Sequence, residues 1–163
     1  MTPRCCRICR VASNLSVDQL AREIGHVSPQ RIAQYEAGDL GDDPDFAWVI
    51  RALAMRAGFR TVDRGEGRGG VRRMGEGRGR DHPVLLASQS AIARGFLDLT
   101  RGALRDASGI DFAAIARFEA DEGSDDAVAE ALRAFYDAHG LRFVLGGKVA
   151  GTVYPDPAVA DLL

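Results

Sequence analysis

The sequence predicts an all-α protein with two small domains of four to five helices, joined by a Gly/Arg-rich linker and followed by a short C-terminal β-hairpin. Three observations support this prediction. A helical pattern occurs twice at a shift of 82–84 residues, glycine and arginine crowd the segment between the two patterns, and β-favouring residues follow the second one. We place the domains at residues 1–60 and 84–163 and the linker at residues 61–83.

Composition excludes several classes of protein. The 163 residues are 46% hydrophobic with a net charge of −2, which is typical of a globular chain and not of a disordered one. No apolar run approaches the roughly 18–20 residues that a membrane helix needs. The three cysteines, at positions 5, 6 and 9, lie too close together to staple a fold, so we expect a cytoplasmic protein.

The repeat is visible residue by residue. Polar caps, apolar residues and helix-ending glycines occupy corresponding positions, and the shift falls from 84 to 82 residues along the chain, as differences in loop length would produce. The corresponding pairs include Leu15/Leu99, Ser16/Thr100, Leu20/Leu104, Gly25/Gly109, Ile32/Ile115, Glu36/Glu119 and Gly58/Gly140. The sequence therefore predicts two copies of one small helical unit.

Cap and terminator residues bound the helices of the first unit. An apolar series at helical spacing runs through Ile8 and Val11 and is interrupted at residues 13–14. The following helices are predicted from Ser16 to Gly25, from Ser28 to Gly38, and from the acidic residues 42–43 to about Gly58.

The second unit follows the same plan. Helices are predicted over residues 84–97, 100–108, 111–119 and 124–139, with Thr100, Asp111 and Ser124 as caps. Two β-favouring runs, at residues 141–145 and 149–154, flank Gly146 and Gly147 and predict a hairpin. We expect this hairpin to pack on the second unit or to pair with another chain.

Glycine dominates the segment between the units. Seven glycines between residues 63 and 83 make ordered helix or strand costly in backbone entropy, so we predict a flexible linker. Two interpretations of its arginines stay open. The linker is a passive tether, or it is an arm that places basic residues in a neighbouring minor groove, with Arg68, Arg72, Arg73 and Arg78 as the candidates.

The first unit resembles the Xre/Cro-type phage-repressor helix-turn-helix family. The resemblance rests on Leu15, Ser16, Gln19, Leu20, Ala21, Gly25, Ser28, Ile32, Tyr35, Glu36 and Gly38. It covers residues 7–58 and, more weakly, residues 87–140. The first unit departs from the pattern by one extra residue in its turn, and the second lacks the Ala after Leu104 and the Gly after Ala120. The resemblance implies two tandem helix-turn-helix domains, the second degenerate.

In that family the third helix lies in the major groove, which implies roles for several residues of the first unit. Those implied to read base edges are Ser28, Gln30, Arg31 and Gln34. Those implied to contact phosphates are Arg7, Arg10, Gln19 and Arg22. Glu36 is expected to pair with an arginine of its own unit, because a carboxylate near phosphate is unfavourable.

The second unit offers weaker candidates, Arg101 and Arg117. Residues 83–140 carry 5 Arg against 10 acidic residues, whereas residues 1–60 carry 8 Arg against 7. Because phosphate binding depends on basic side chains, the second unit should bind DNA poorly alone. We expect it to serve mainly in dimerisation or interaction, with Phe112 either in that interface or packed inside the unit.

The expected function is therefore a transcriptional regulator that binds specific double-stranded DNA as a homodimer through residues 84–163. Alternatively, both units of one chain dock on adjacent half-sites. From another class, a protein-binding adaptor or antirepressor keeps the fold without reading DNA. We expect no enzyme activity, cofactor, metal site or membrane contact. No nucleophile, base and orienting group occur together, and the histidines and cysteines lack ligand spacing.

Overall fold

The computed structural model describes residues 2–40, 43–62, 69–74, 84–122, 125–145 and 151–158. Within these residues, four helices followed by two strands occur twice. The elements are α1 (Pro3–Ala12), α2 (Val17–Ile24), α3 (Pro29–Ala37), α4 (Pro44–Arg56), β1 (Phe59–Thr61), β2 (Val71–Arg73), α5 (Ala87–Phe96), α6 (Arg101–Ser108), α7 (Phe112–Glu119), α8 (Asp126–Ala138), β3 (Leu141–Val144) and β4 (Thr152–Pro155). We refer to residues 2–74 as the N-terminal half and to residues 84–158 as the C-terminal half.

Polar side chains cap the helices where the sequence predicts them, which confirms those helix starts. The caps are Ser16 for α2, Ser28 for α3, Thr100 for α6 and Asp111 for α7. In each case the side-chain oxygen accepts a backbone N–H of the first turn. Asp125 caps α8, and the predicted cap, Ser124, lies outside the described residues.

The structure corrects the prediction of helices with a single C-terminal hairpin. β1 and β2 form a further hairpin, and the four antiparallel strands make one sheet in the order β1-β2-β4-β3. The linker prediction is therefore wrong for residues 61–62 and 69–74. The prediction rested on the glycine content of this segment. In the structure Val71 is fully buried and pairs with both neighbouring strands, which orders the segment. The other predicted linker residues, 63–68 and 75–83, lie outside the described residues.

The two halves share one hydrophobic core. A single cluster of buried side chains includes Ile8 and Val71 from the N-terminal half and Ile92, Leu104 and Leu132 from the C-terminal half. A second cluster lies within the N-terminal half, between α1, α2, α3 and α4. The larger cluster joins the halves directly, so their relative position is fixed by packing.

Equivalent elements of the two halves meet each other. α1 packs across α5, and β2 pairs with β4 so that Val71 lies opposite Val153, its equivalent at a shift of 82 residues. Contact of a surface with its own equivalent is the mark of a two-fold axis in symmetric dimers. The halves of this single chain therefore contact each other as two subunits of such a dimer would.

Candidate nucleic-acid interface

The N-terminal half contains a two-helix unit made of α2, a turn and α3. Ser16 Oγ accepts the N–H of Gln19 at 3.1 Å, and Gln19 Oε1 accepts the N–H of Ser16 at 2.7 Å. This reciprocal capping box satisfies two backbone donors at the start of α2. Gly25 ends α2 with a φ of 85°, a left-handed conformation that glycine adopts at low steric cost. The chain then turns into α3.

α3 buries one side and exposes the other. Ile32 and Tyr35 are almost completely buried, and the Tyr35 ring meets the Phe46 ring edge-on with centroids 4.9 Å apart. Gln30 and Gln34 lie one turn apart on the exposed side. Neither amide makes a side-chain hydrogen bond within the part of the chain that the structure describes. Because α3 is anchored by its buried side, it directs both glutamine side chains toward solvent.

Arg31 is exposed on α3 but has partners. Its Nη2 donates to Asp43 Oδ2 at 2.7 Å, and its guanidinium lies 5.4 Å from the centroid of the Phe46 ring. Asp43 also accepts the N–H of Phe46, and this bond, together with Arg31, holds the pKa of the Asp43 carboxyl below its usual value. Arg31 can therefore reach a base edge with its remaining N–H groups or after the ion pair opens.

Glu36 has the structural role predicted for it. Arg10 Nε and Nη2 donate to the Glu36 carboxylate at 2.8 and 2.6 Å, and Arg10 Nη1 donates to the Leu15 carbonyl at 3.1 Å. The hydrogen bonds with Glu36 raise the pKa of Arg10 above its usual value. The prediction that Glu36 pairs with an arginine of its own half is confirmed. Because these hydrogen bonds occupy N–H groups of the Arg10 guanidinium, Arg10 has fewer donors left for a DNA phosphate.

Two of the candidate phosphate contacts lie at the surface, and a third, Arg7, is half-buried. Gln19 and Arg22 are exposed on α2. Arg22 Nε donates to the Asp18 carbonyl at 3.3 Å, while the capping box uses the Gln19 carbonyl oxygen and leaves its amide nitrogen as the donor for a ligand. Arg7 is less accessible, because it packs between the halves with its Nη1 3.4 Å from Asp98 of the C-terminal half.

The proposed basic arm is placed only in part. Arg72 and Arg73 lie in β2, opposite Arg60 and Phe59 of β1. Both are thus part of the sheet, and the expectation that they belong to a flexible arm is wrong, because the hairpin orders them. Arg68 and Arg78 lie outside the described residues.

The C-terminal half repeats the two-helix arrangement with a different exposed side. Ile115 and Phe118 of α7 are buried, whereas Ala113 and Arg117 are exposed. Phe112, at the start of α7, is 45% exposed, so it does not pack inside its half as one interpretation expected. Arg117 makes no side-chain hydrogen bond or ion pair with any other described residue.

Arg101, the other candidate of the C-terminal half, belongs to a buried cluster around Glu119. The fully buried carboxylate of Glu119 accepts from Arg94 at 3.0 Å, from Arg101 at 2.8 Å and from Ser90 at 3.3 Å. Arg94 and Glu119 are the equivalents of Arg10 and Glu36. Arg101 is only one-quarter exposed, and its ion pair with Glu119 limits how far its guanidinium reaches toward a ligand.

A groove of about 660 Å³ lies where the two halves meet. Its walls include the starts of α2 and α6 with Ser16 and Thr100, the positive-φ residues Asn14 and Asp98, and Phe112 of α7. We call it the central groove. Sequence reasoning missed it, although the matched Arg/Glu positions of the repeat were a signal that both halves form their helix junctions in the same way.

Comparison with known proteins is consistent with this geometry in the N-terminal half. A helix-turn-helix family model matches residues 7–46, which span most of α1, all of α2 and α3, and the start of α4. This match supports a DNA-binding regulator in general terms. No curated protein and no solved structure matches the chain. Among the described residues, no helix has the length and apolar character needed to cross a membrane.

Proposed function

We propose that this protein is a transcriptional regulator that reads double-stranded DNA with α3 in the major groove. The observation that carries the proposal is the exposed pair Gln30 and Gln34, on a helix whose other side is anchored by Ile32 and Tyr35. A glutamine amide matches the N6 and N7 edge of adenine with two hydrogen bonds. The helix-turn-helix match includes both residues.

In this proposal, phosphate contacts around α3 orient the protein on the DNA duplex. Ser28 caps α3 at an exposed helix N-terminus, where the positive end of the helix dipole attracts phosphate. Gln19 and Arg22 on α2 lie at the surface for further phosphate contacts. Arg31 contributes to guanine or phosphate binding with the N–H groups that Asp43 leaves unused. Bases are thus read from α3, while α2 fixes the register.

The C-terminal half was expected to form a homodimer through residues 84–163. The buried residues of α5 pack against α1 of the same chain, so that surface is already used. Homodimerisation stays a prediction that needs another surface. One observation favours the adaptor as a second candidate, because residues 83–140 carry twice as many acidic residues as arginines.

A selection from a random duplex pool tests the proposal. The full chain should enrich a defined sequence, and anisotropy titrations should then compare the variants on that duplex. Gln30→Ala or Gln34→Ala should lower discrimination against a changed base pair by about 5- to 150-fold. Arg22→Ala should weaken binding to every sequence and reduce the salt slope by about one. Failure to enrich any sequence, with binding that random competitor DNA removes, would favour the adaptor.

A further inference from the structure

We propose that one chain binds both half-sites of a non-palindromic operator, with α3 reading the first half-site and α7 the second. This inference rests on the proposed function and adds a second DNA-binding site to it. It replaces the two chains of a homodimer with the two halves of one chain.

The arrangement of the halves is that of a dimer. α1 meets its equivalent α5, and β2 meets its equivalent β4 at Val71 and Val153. The helix junctions also match, because Arg10 and Arg94 each bind a buried glutamate and donate to the carbonyl of Leu15 or Leu99. A two-fold relation places two reading helices on one molecule, as it does in a dimer that binds a symmetric operator.

Contacts between the halves hold this relation rigidly. Gly95 of α5 approaches α1 so closely that an added Cβ would lie 2.9 Å from both the Cα and the carbonyl oxygen of Ile8. Arg94 Nη2 donates across the junction to Asn14 Oδ1 at 3.0 Å and to the Val11 carbonyl at 3.4 Å. The distance between α3 and α7 is therefore set by packing within the chain.

Both two-helix units open on the same groove. The first residues of α2 and of α6 line the central groove together, and Phe112 brings the start of α7 to its edge. α2 and α6 are the helices expected to contact phosphates in a helix-turn-helix unit. Because the starts of α2 and α6 face one groove, we expect a duplex laid across it to contact both units.

The exposed side of α7 indicates a different base preference from that of α3. Ala113 stands where α3 has Gln30, and Arg117 stands where α3 has Gln34. Alanine and phenylalanine, here Ala113 and Phe112, are side chains that contact the methyl group of thymine. Arginine, here Arg117, pairs with the O6 and N7 edge of guanine. The second half-site should therefore contain guanine and thymine, and the operator should not be a palindrome.

The acidic character of the C-terminal half is compatible with this mode. Alone, such a half should bind phosphates weakly. Joined rigidly to the N-terminal half, it meets DNA at a high effective concentration, so a modest intrinsic affinity contributes to binding. Base preference in the second half-site should accordingly be weaker than in the first.

The test is a selection of the full chain on a random pool of 30-bp duplexes, followed by sedimentation velocity of the complex with the enriched duplex. The expected result is one chain per duplex and two unequal elements about 10 bp apart. Arg117→Ala should reduce base discrimination about 5- to 150-fold in one element only. Arg142→Ala is the matched control, because Arg142 is an exposed arginine of β3, outside both two-helix units and paired with Asp156, and it should leave both elements unchanged.

Two outcomes would overturn the inference while leaving the proposed function intact. One is a palindromic sequence occupied by two chains. The other is a single element that Arg117→Ala does not alter. If the wild-type chain enriches no sequence, both the proposed function and this inference fail.

Discussion

The substitution Gly95→Ala tests whether the two halves are packed against each other as closely as the structure shows. Gly95 lies in α5 where that helix crosses α1, and its absent side chain lets the backbones approach. A Cβ atom there would lie 2.9 Å from the Cα and from the carbonyl oxygen of Ile8, while ordinary contact begins at 3.4 Å. Both neighbours are backbone atoms and cannot rotate away, so α1 and α5 must separate by about half an ångström.

The cost of that separation follows from core packing. Overpacking a close-packed junction costs about 1–3 kcal/mol. Alanine also gains up to about 1 kcal/mol of helix propensity over glycine, and this gain has to be subtracted. Gly102 of α6 provides the matched control, because it is also helical and the nearest atom to its added Cβ is Thr100 Oγ1 at 3.8 Å. Gly95→Ala should therefore be about 1–3 kcal/mol less stable than Gly102→Ala.

Urea unfolding of the full chain, followed by circular dichroism, measures this difference. With a slope of about 2 kcal/mol/M, the midpoint of Gly95→Ala should lie about 0.5–1.5 M below that of Gly102→Ala. The wild-type chain should unfold in one transition, because both halves share a core. Equal midpoints for the two variants would refute the close packing of α1 on α5.

Three further predictions concern buried or paired groups. Glu119→Gln should destabilise the chain by about 3–5 kcal/mol in urea unfolding, because it leaves the buried Arg94 unpaired; a loss below 1 kcal/mol would contradict this. The pKa of Asp43 is lowered, first by the hydrogen bond that its carboxylate accepts from the Phe46 N–H. The ionised carboxylate therefore contributes its full free energy of folding above the unfolded pKa of about 4, and this contribution is lost as the pH falls below that value. The stability gap between wild type and Asp43→Asn should thus be constant from pH 5 to 8 and shrink below about pH 4. Burial raises the pKa of Cys9 to about 12, so its labelling by a thiol reagent at pH 8 should be slow until urea unfolds the chain; equal rates with and without urea would argue against it.

Local signals in the sequence predicted the helices well. Ser16, Ser28, Thr100 and Asp111 cap helices as expected, because a cap acts through hydrogen bonds within one turn. The division of α3 into a buried side, with Ile32 and Tyr35, and an exposed side was implied by the family resemblance, and the structure shows the same division. The pairing of Glu36 with an arginine was predicted because the resemblance places Glu36 near phosphate, where a carboxylate is unfavourable, and this pairing is confirmed.

Contacts between distant segments could not be predicted in the same way. β2 is three residues long and stands among glycines, so its strand character comes from pairing with β1 and β4 and not from local preference. Arg10 was expected at a phosphate because arginine is typical there, but only the folded chain shows the Glu36 carboxylate that binds it. The structure therefore shows which candidate arginines are already paired, and the residue types alone did not indicate this.

Comparison of equivalent residues in the two halves distinguishes those that serve packing from those that are exposed for binding. One buried pair keeps its chemistry: Arg10 and Arg94 each bind a buried glutamate, although Glu119 is more deeply buried than Glu36 and has an additional arginine partner in Arg101. Breaking such a pair is costly, which holds these positions fixed. On the exposed sides of α3 and α7 the chemistry differs at each position compared above, and exposed positions carry little packing cost. A difference in chemistry on the exposed sides of α3 and α7 is what two different half-sites on one operator would require.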